Sequence, residues 1–238
     1  TSPDGLAVNA AIRLLNLSDN TVTLLTSGNW PSWSPDGNKI VFERDISSDP
    51  TSYADIEIFK IDAAAGTTTQ LTNVSGSSLS RHPAWSPGGS AIAYTKFGPT
   101  EANCETQYVI YLMDTAGNPI GPVTCPPAGE YMTAGDSEPA WSPDGQEIAF
   151  SRIRYLGRSS QLHKVNIATN VVTKLTDSPD TGYDEFTAAW SPDKTAIAVG
   201  SGRDGDYDIW LVDPNGGGYQ TNITDSNPDI DGYPVFGK

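Results

Sequence analysis

The chain is 238 residues long and carries 29 acidic against 14 basic side chains, a formal net charge of −15. Such a surface repels phosphate backbones and excludes nucleic acid as a partner, whereas cations and basic protein surfaces match it. No apolar run is long enough to span a bilayer as a helix, so membrane insertion is not expected.

A chain of this length buries enough surface to fold without a metal or a partner subunit, and a monomer is expected. Its 23 Gly and 18 Pro are spread over the whole length, which suits many short strands and tight turns. It opens on Thr1 without an initiator Met or a signal peptide, which reads as a mature or excised start.

In chain order, Ser2-Pro3-Asp4-Gly5 comes first, followed by Ile12–Leu17, a Ser-Asp-Asn turn and Thr21–Thr26. Pro31-Ser-Trp-Ser-Pro-Asp-Gly37 then begins a pattern that returns as Pro83-Ala-Trp-Ser-Pro-Gly-Gly89, Pro139-Ala-Trp-Ser-Pro-Asp-Gly145 and Ala188-Ala-Trp-Ser-Pro-Asp-Lys194. Each copy leads into an apolar strand: Ile40-Val-Phe42, Ile92-Ala-Tyr94, Ile148-Ala-Phe150, Ile197-Ala-Val199. A second strand follows at Ile56–Ile61, Tyr108–Met113, Leu162–Ile167 and Tyr207–Val212. A third ends in an apolar residue plus Thr, and the residues before each Trp supply a fourth. Pro234-Val-Phe236 is a fragment of a fifth copy.

The motif Trp residues stand at 33, 85, 141 and 190, with Phe236 in the fifth place, and the terminal Thr residues at 26, 72, 124, 176 and 224. Five such repeats predict an all-β fold, a five-bladed β-propeller forming a single domain over 1–238. Both alternating sets of residues are apolar, as in Ile209-Trp-Leu-Val212, so each sheet must be covered on two faces, as a blade between two blades is. Joined head to tail, the chain ends nearly rebuild the fifth motif, so the closing blade is expected to combine both termini and leave no free edge. That blade has 31 residues, against 42 from Pro31 to Thr72, and a six-bladed ring with one blade incomplete is the alternative.

The pattern Pro-x-Trp-Ser-Pro-Asp-Gly-x-x-Ile-Ala-Phe, with Asp208-Ile-Trp-Leu-Val-Asp213 and the Leu-Thr endings, resembles the TolB-like propeller repeats over essentially the whole chain. The resemblance implies the fold. The family's namesake works in the periplasm, where it binds lipoprotein and toxin partners. The same repeat occurs in propellers of prolyl-oligopeptidase-like peptidases and of polysaccharide-degrading proteins.

A four-stranded meander places the short, regular turns on one face, where they are read as structural. The irregular connections 43–55, 95–107, 151–161, 200–207, 73–82, 125–138, 177–187 and 225–233 fall on the other, the face where binding resides on a rigid scaffold. Three residues before each motif start stand Gly28, Ser80, Asp136, Glu185 and Asp231; one residue before stand Trp30, His82, Glu138, Thr187 and Tyr233. Asp136, Glu185 and Asp231 form an acidic rim that is read as a candidate Ca²⁺ site, since clustered carboxylates need a proton or a cation between them. The competing reading is that these acids cap loops through backbone N–H groups. Trp30, His82, Glu138 and Tyr233 are the candidate ligand contacts at the channel mouth. Tyr53, Tyr131, Tyr183 and Tyr207 add exposed rings suited to sugar or peptide.

Arg203-Asp-Gly-Asp-Tyr-Asp208 alternates acids like half a calcium loop but lacks the bidentate Glu of an EF-hand, and reads as a hairpin loop. No Gly-x-Ser-x-Gly elbow occurs, and His163 lies in an apolar strand, so nucleophilic catalysis is poorly supported. Cys104 and Cys125 flank a predicted hairpin without metal-site spacing. A structural disulfide between them implies an oxidising, extracytoplasmic compartment. The expected role is a non-catalytic module binding a protein, peptide or polysaccharide, with Ca²⁺ as the one expected ion. Two alternatives stand beside it: a glycan-cleaving hydrolase or lyase using the rim carboxylates, and a structural propeller fragment of a larger secreted protein.

Overall fold

The computed structural model describes residues 10–47, 55–73, 78–98, 108–125, 135–153, 160–177, 184–203, 206–217, 220–224 and 230–236. Among them every regular element is a strand, as the period-2 apolar pattern requires.

Blade I is the antiparallel meander β3 (Asn29–Trp33), β4 (Lys39–Asp45), β5 (Ile56–Asp62) and β6 (Thr68–Gln70), after the hairpin β1 (Ala11–Leu15) and β2 (Val22–Ser27). Blade II is β7 (Leu79–Trp85), β8 (Ala91–Phe97), β9 (Tyr108–Asp114) and β10 (Pro119–Pro122). Blade III is β11 (Gly135–Trp141), β12 (Glu147–Ile153), β13 (Ser160–Asn166) and β14 (Val172–Lys174). Blade IV is β15 (Glu185–Trp190), β16 (Ile197–Ser201), β17 (Asp208–Val212) and β18 (Gln220–Asn222). Four complete four-stranded units and one two-stranded hairpin are thus seen among the described residues. Residues 230–236 run without a ladder, the Asp231 N–H donating to the Tyr207 carbonyl at 2.7 Å.

The Ser-Pro-Asp-Gly turn is locally determined. Ser34 Oγ donates to Asp36 Oδ1 and accepts the Lys39 N–H at 2.9 Å, while the Gly37 N–H closes on the Ser34 carbonyl. Ser142 with Asp144, and Ser191 with Asp193, repeat this arrangement. The Ser34 hydroxyl is the main cause holding the Asp36 carboxyl down at about 2. These acids serve the turn, as the sequence indicates.

Between blades, both faces of each sheet are buried. In β4, Ile40 and Phe42 pack with Ile12 of the hairpin, while Val41 packs with Trp85, Ile92 and Tyr94 of blade II. Ile110 and Leu112 meet Ile148 and Phe150, and Ala149 and Leu162 meet Trp190 and Ile197. Each aliphatic side chain so enclosed contributes about 1.5–3 kcal/mol. Two of the motif Trp residues bond to the preceding blade through the indole. The Trp141 indole N–H donates to the Ala84 carbonyl and that of Trp190 to Ala140, both at 3.1 Å.

Trp33 departs from this expected packing role. It is 48% exposed, against 9% for Trp85 and 7% for Trp190; among the described residues the unit facing it is the two-stranded hairpin β1–β2. Cys104, Tyr53, Tyr131 and Tyr183 lie outside the described residues, as do most of the variable loops. Cys125 follows β10, and among the described residues no cysteine is free.

Candidate functional site

The acids of the expected rim are explained by the threonines that end each blade. The hydroxyl of each such Thr accepts a backbone N–H of the neighbouring strand in its own blade: Ile58 to Thr72, Ile110 to Thr124, Leu162 to Thr176, Ile209 to Thr224, at 2.8–3.0 Å. The hydroxyl proton then needs an acceptor. Blades I and IV provide it internally, through Glu57 and Asp208. Blades II and III have Val109 and Gln161 at the corresponding position, and the acceptor arrives from the next blade. Thr124 bonds Asp136 and Thr176 bonds Glu185.

Both incoming carboxylates are fully buried at 0% exposure, and each is closed by an arginine of its own blade. Arg152 meets Asp136 through two bonds of 2.7 and 2.9 Å, and Arg203 pairs with Glu185. Burial pushes the Asp136 carboxyl up, and the Arg152 contact opposes it. Where the chain has Gly28, a Cβ would lie 2.5 Å from the Phe42 ring and 2.8 Å from the Glu43 carbonyl. No acid fits there, and Arg44 reaches Thr26 and the Ser27 carbonyl directly. Asp136, Glu185 and Asp231, expected to share one cation, are therefore not brought to one point. Among the described residues no group of three or more His, Cys, Asp or Glu is placed to hold a metal ion. Arginine guanidinium supplies the positive charge instead, with the bidentate geometry it favours.

The second set of predicted residues does share one feature. Trp30, His82, Glu138, Thr187 and Tyr233 all adopt left-handed backbone, with φ of 50°, 51°, 57°, 47° and 60°. In blades I to IV each is the bulged residue of the innermost strand, where the ladder slips by one. The following Pro31, Pro83 and Pro139 have no N–H to give, which breaks the ladder at that point. Blade IV keeps the bulge with Ala188. Such backbone costs about 1–3 kcal/mol per residue and persists only when its surroundings over-determine it.

Those surroundings are the neighbouring blades. The His82 N–H donates to Glu43 Oε2 at 2.8 Å, the Glu138 N–H to Thr95 Oγ1 at 3.2 Å, and the Thr187 N–H to Glu138 Oε2 at 2.6 Å. Each left-handed residue of blades II to IV is thus caught by a side chain of the blade before it. Trp30 stands edge-on to His82 with centroids 4.5 Å apart and lies 5.8 Å from Tyr233, which is itself 5.8 Å from Phe186. Burial, with Arg81 adding to it, holds the His82 imidazole down at about 3, so it is neutral. Among the described residues its Nδ1 and the Thr187 hydroxyl are buried without a hydrogen-bond partner. Burial pushes Glu138 up, as it does Glu43, where Arg81 opposes it from 3.6 Å. His163 is the buried strand residue expected, stacked on Phe150.

Beside Glu138, between blades III and IV, opens a cavity of about 430 Å³ lined by Ser137, Glu138, Asp184, Phe186, Tyr207 and Tyr233 among others. Asp184 and Phe186 were not singled out by their sequence position; flanking Glu185 in the loop-to-strand junction was the signal available.

The family described as TolB beta propeller domain matches residues 61–230. The chain is 26% identical over 133 residues to the uncharacterized peptidase YuxL of Bacillus subtilis (strain 168), covering 56% of this chain and 18% of that protein. It superposes on TolB from Acinetobacter baumannii with a TM-score of 0.67 at 22% identity, covering 88% of this chain and 47% of that one. An oligogalacturonate lyase from Vibrio parahaemolyticus follows with a TM-score of 0.62 at 14% identity, over 92% and 61% of the two chains. At these identities the likeness to solved structures is one of fold.

Proposed function

The chain belongs to the TolB β-propeller domain family, and from that premise we propose that it is a non-catalytic binding module. Its partner is a protein, peptide or polysaccharide segment seated on the variable-loop face over the channel mouth. The observation that supports this reading is the left-handed backbone shared by Trp30, His82, Glu138, Thr187 and Tyr233 at the same repeat position, with Trp30 in contact with His82 and Tyr233. Backbone strain of this kind is retained where a rigid scaffold presents side chains.

In this reading the ring has five blades over 1–238, the last assembled from β1, β2 and residues 230–236. The Trp30–Tyr233 contact and the shared φ of Tyr233 support that closure. The module is monomeric and extracytoplasmic, with Cys104 and Cys125 paired. The namesake's periplasmic setting supports the location.

Peptide and glycan arrays probed with the wild type, Trp30→Ala and Tyr233→Ala test the reading. Ligands are expected to be retained by the wild type and lost in both variants; array ligands indifferent to both changes would overturn it. Product analysis of bound glycans checks the hydrolase or lyase alternative, since a pure receptor leaves its ligand intact.

A further inference from the structure

We propose that the cavity between blades III and IV is a receptor for the ammonium group of a lysine side chain carried by a peptide partner. The proposal rests on the binding reading above and names the chemistry that the site selects.

Three kinds of wall meet there. Glu138 and Asp184 contribute carboxyl groups, and Glu138 feels the repulsion of Asp184 and of Glu43. Ser137, only 7% exposed, lines the same space and makes no side-chain hydrogen bond among the described residues. Phe186, Tyr207 and Tyr233 form the aromatic side, with Phe186 and Tyr207 edge-to-face at 5.3 Å. Among the described residues no lysine or arginine lines the cavity. The third acid, Glu185, is already matched by Arg203; Glu138 is offset by Arg81, which does not line the cavity, and Asp184 by the Ser160 backbone N–H.

An ammonium group has three donors and no acceptor, which matches three acceptor groups: Glu138, Asp184 and Ser137. Its methylene stem suits rings, and the charge itself is attracted to their faces. A divalent metal fits less well. Calcium takes six to eight oxygens at about 2.3–2.6 Å, and no described cluster is placed for that. At about 430 Å³ the space is of the size that takes a side chain rather than a bare ion. The net charge of −15 draws a basic segment toward this face before contact.

The test is a titration of the whole chain with acetyl-Gly-Gly-Lys-Gly-Gly-amide and with the same peptide carrying norleucine, read by NMR shifts and aromatic fluorescence. The lysine peptide is expected to saturate and the norleucine peptide to bind at least about tenfold more weakly, with Glu138→Gln and Asp184→Asn each abolishing most of that difference. Glu138→Gln keeps an acceptor for the Thr187 N–H, and Asp184→Asn gives an independent arm should the first variant fold poorly. Equal binding of the two peptides, or folded variants that retain the full lysine preference, would overturn the ammonium site. So would failure of the lysine peptide to saturate, or displacement of the bound peptide by micromolar Ca²⁺. A neutral array ligand lost in Trp30→Ala yet unaffected by Glu138→Gln and Asp184→Asn would sink this site alone and leave the binding module standing.

Discussion

Replacing Arg152 by Met probes the latch between blades II and III. Asp136 is fully buried and held by two short bonds to Arg152, with the Thr124 hydroxyl as a further donor. Met fills similar volume without charge, so the change strands an ionised carboxylate in the interior. Breaking a buried pair in this way costs about 3–5 kcal/mol. For a chain of 150–250 residues each kcal/mol moves the melting point by about 2–4 °C, so a fall of roughly 6–20 °C is expected at neutral pH. The pH dependence follows from the direction of the Asp136 shift. Burial raises its folded-state pKa above the unfolded value, so the native state holds the proton more tightly. The stability tied to this group is present below the unfolded pKa and is lost as pH rises through the folded one. Without Arg152 that rise is larger, so the deficit of Arg152→Met is greatest at neutral pH and shrinks toward pH 4. Adding Asp136→Asn removes the stranded charge and is expected to recover most of the loss. Calorimetric melts of wild type, single and double variants across pH 4–8 measure this. A single variant as stable as wild type at pH 7, or a deficit that grows on acidification, would refute the latch.

Trp141→Phe and Trp190→Phe each remove an inter-blade hydrogen bond and are expected to cost about 0.5–1.5 kcal/mol in urea unfolding, while the exposed Trp33→Phe costs under about 0.5 kcal/mol. Thr187→Gly relieves left-handed strain at a β-branched residue whose hydroxyl meets no partner among the described residues, and a gain of about 1 kcal/mol is expected by the same assay. Burial raises Glu138, so its ionised form opposes folding as pH rises through the folded pKa. Glu138→Gln is therefore expected to melt higher than wild type at pH 7, with the gap closing near pH 4, whatever it does to binding. Calcium is expected to leave the melting point unchanged, because arginines already occupy Asp136 and Glu185; a calcium-dependent rise abolished by Asp136→Ala would restore the rim as a metal site.

The architecture was legible from residues alone because its causes are local. A Ser-x-Asp-Gly turn closes on its own hydroxyl and carboxylate, and a strand apolar on both faces demands two neighbours wherever it stands, as Ile40, Val41 and Phe42 show. Repeat offsets also aligned Trp30 with His82, Glu138, Thr187 and Tyr233, although nothing in those five side chains announces a common backbone. Their left-handed φ arises where a bulged ladder meets the side chains of the preceding blade, a relation spanning 39 residues from Glu43 to His82. The partners of the acids at 136 and 185 were hidden from the sequence for the same reason. A carboxylate with no visible partner in its own stretch invites a cation, whereas its real partners are Thr124 and Arg152, or Thr176 and Arg203, placed by inter-blade register. Sequence by itself determined the blades, since hydrogen bonding and burial there act over a few residues. Only the tertiary structure decided which charges meet, because electrostatics in a buried seam depends on separations of a few ångströms between chains of residues far apart in order.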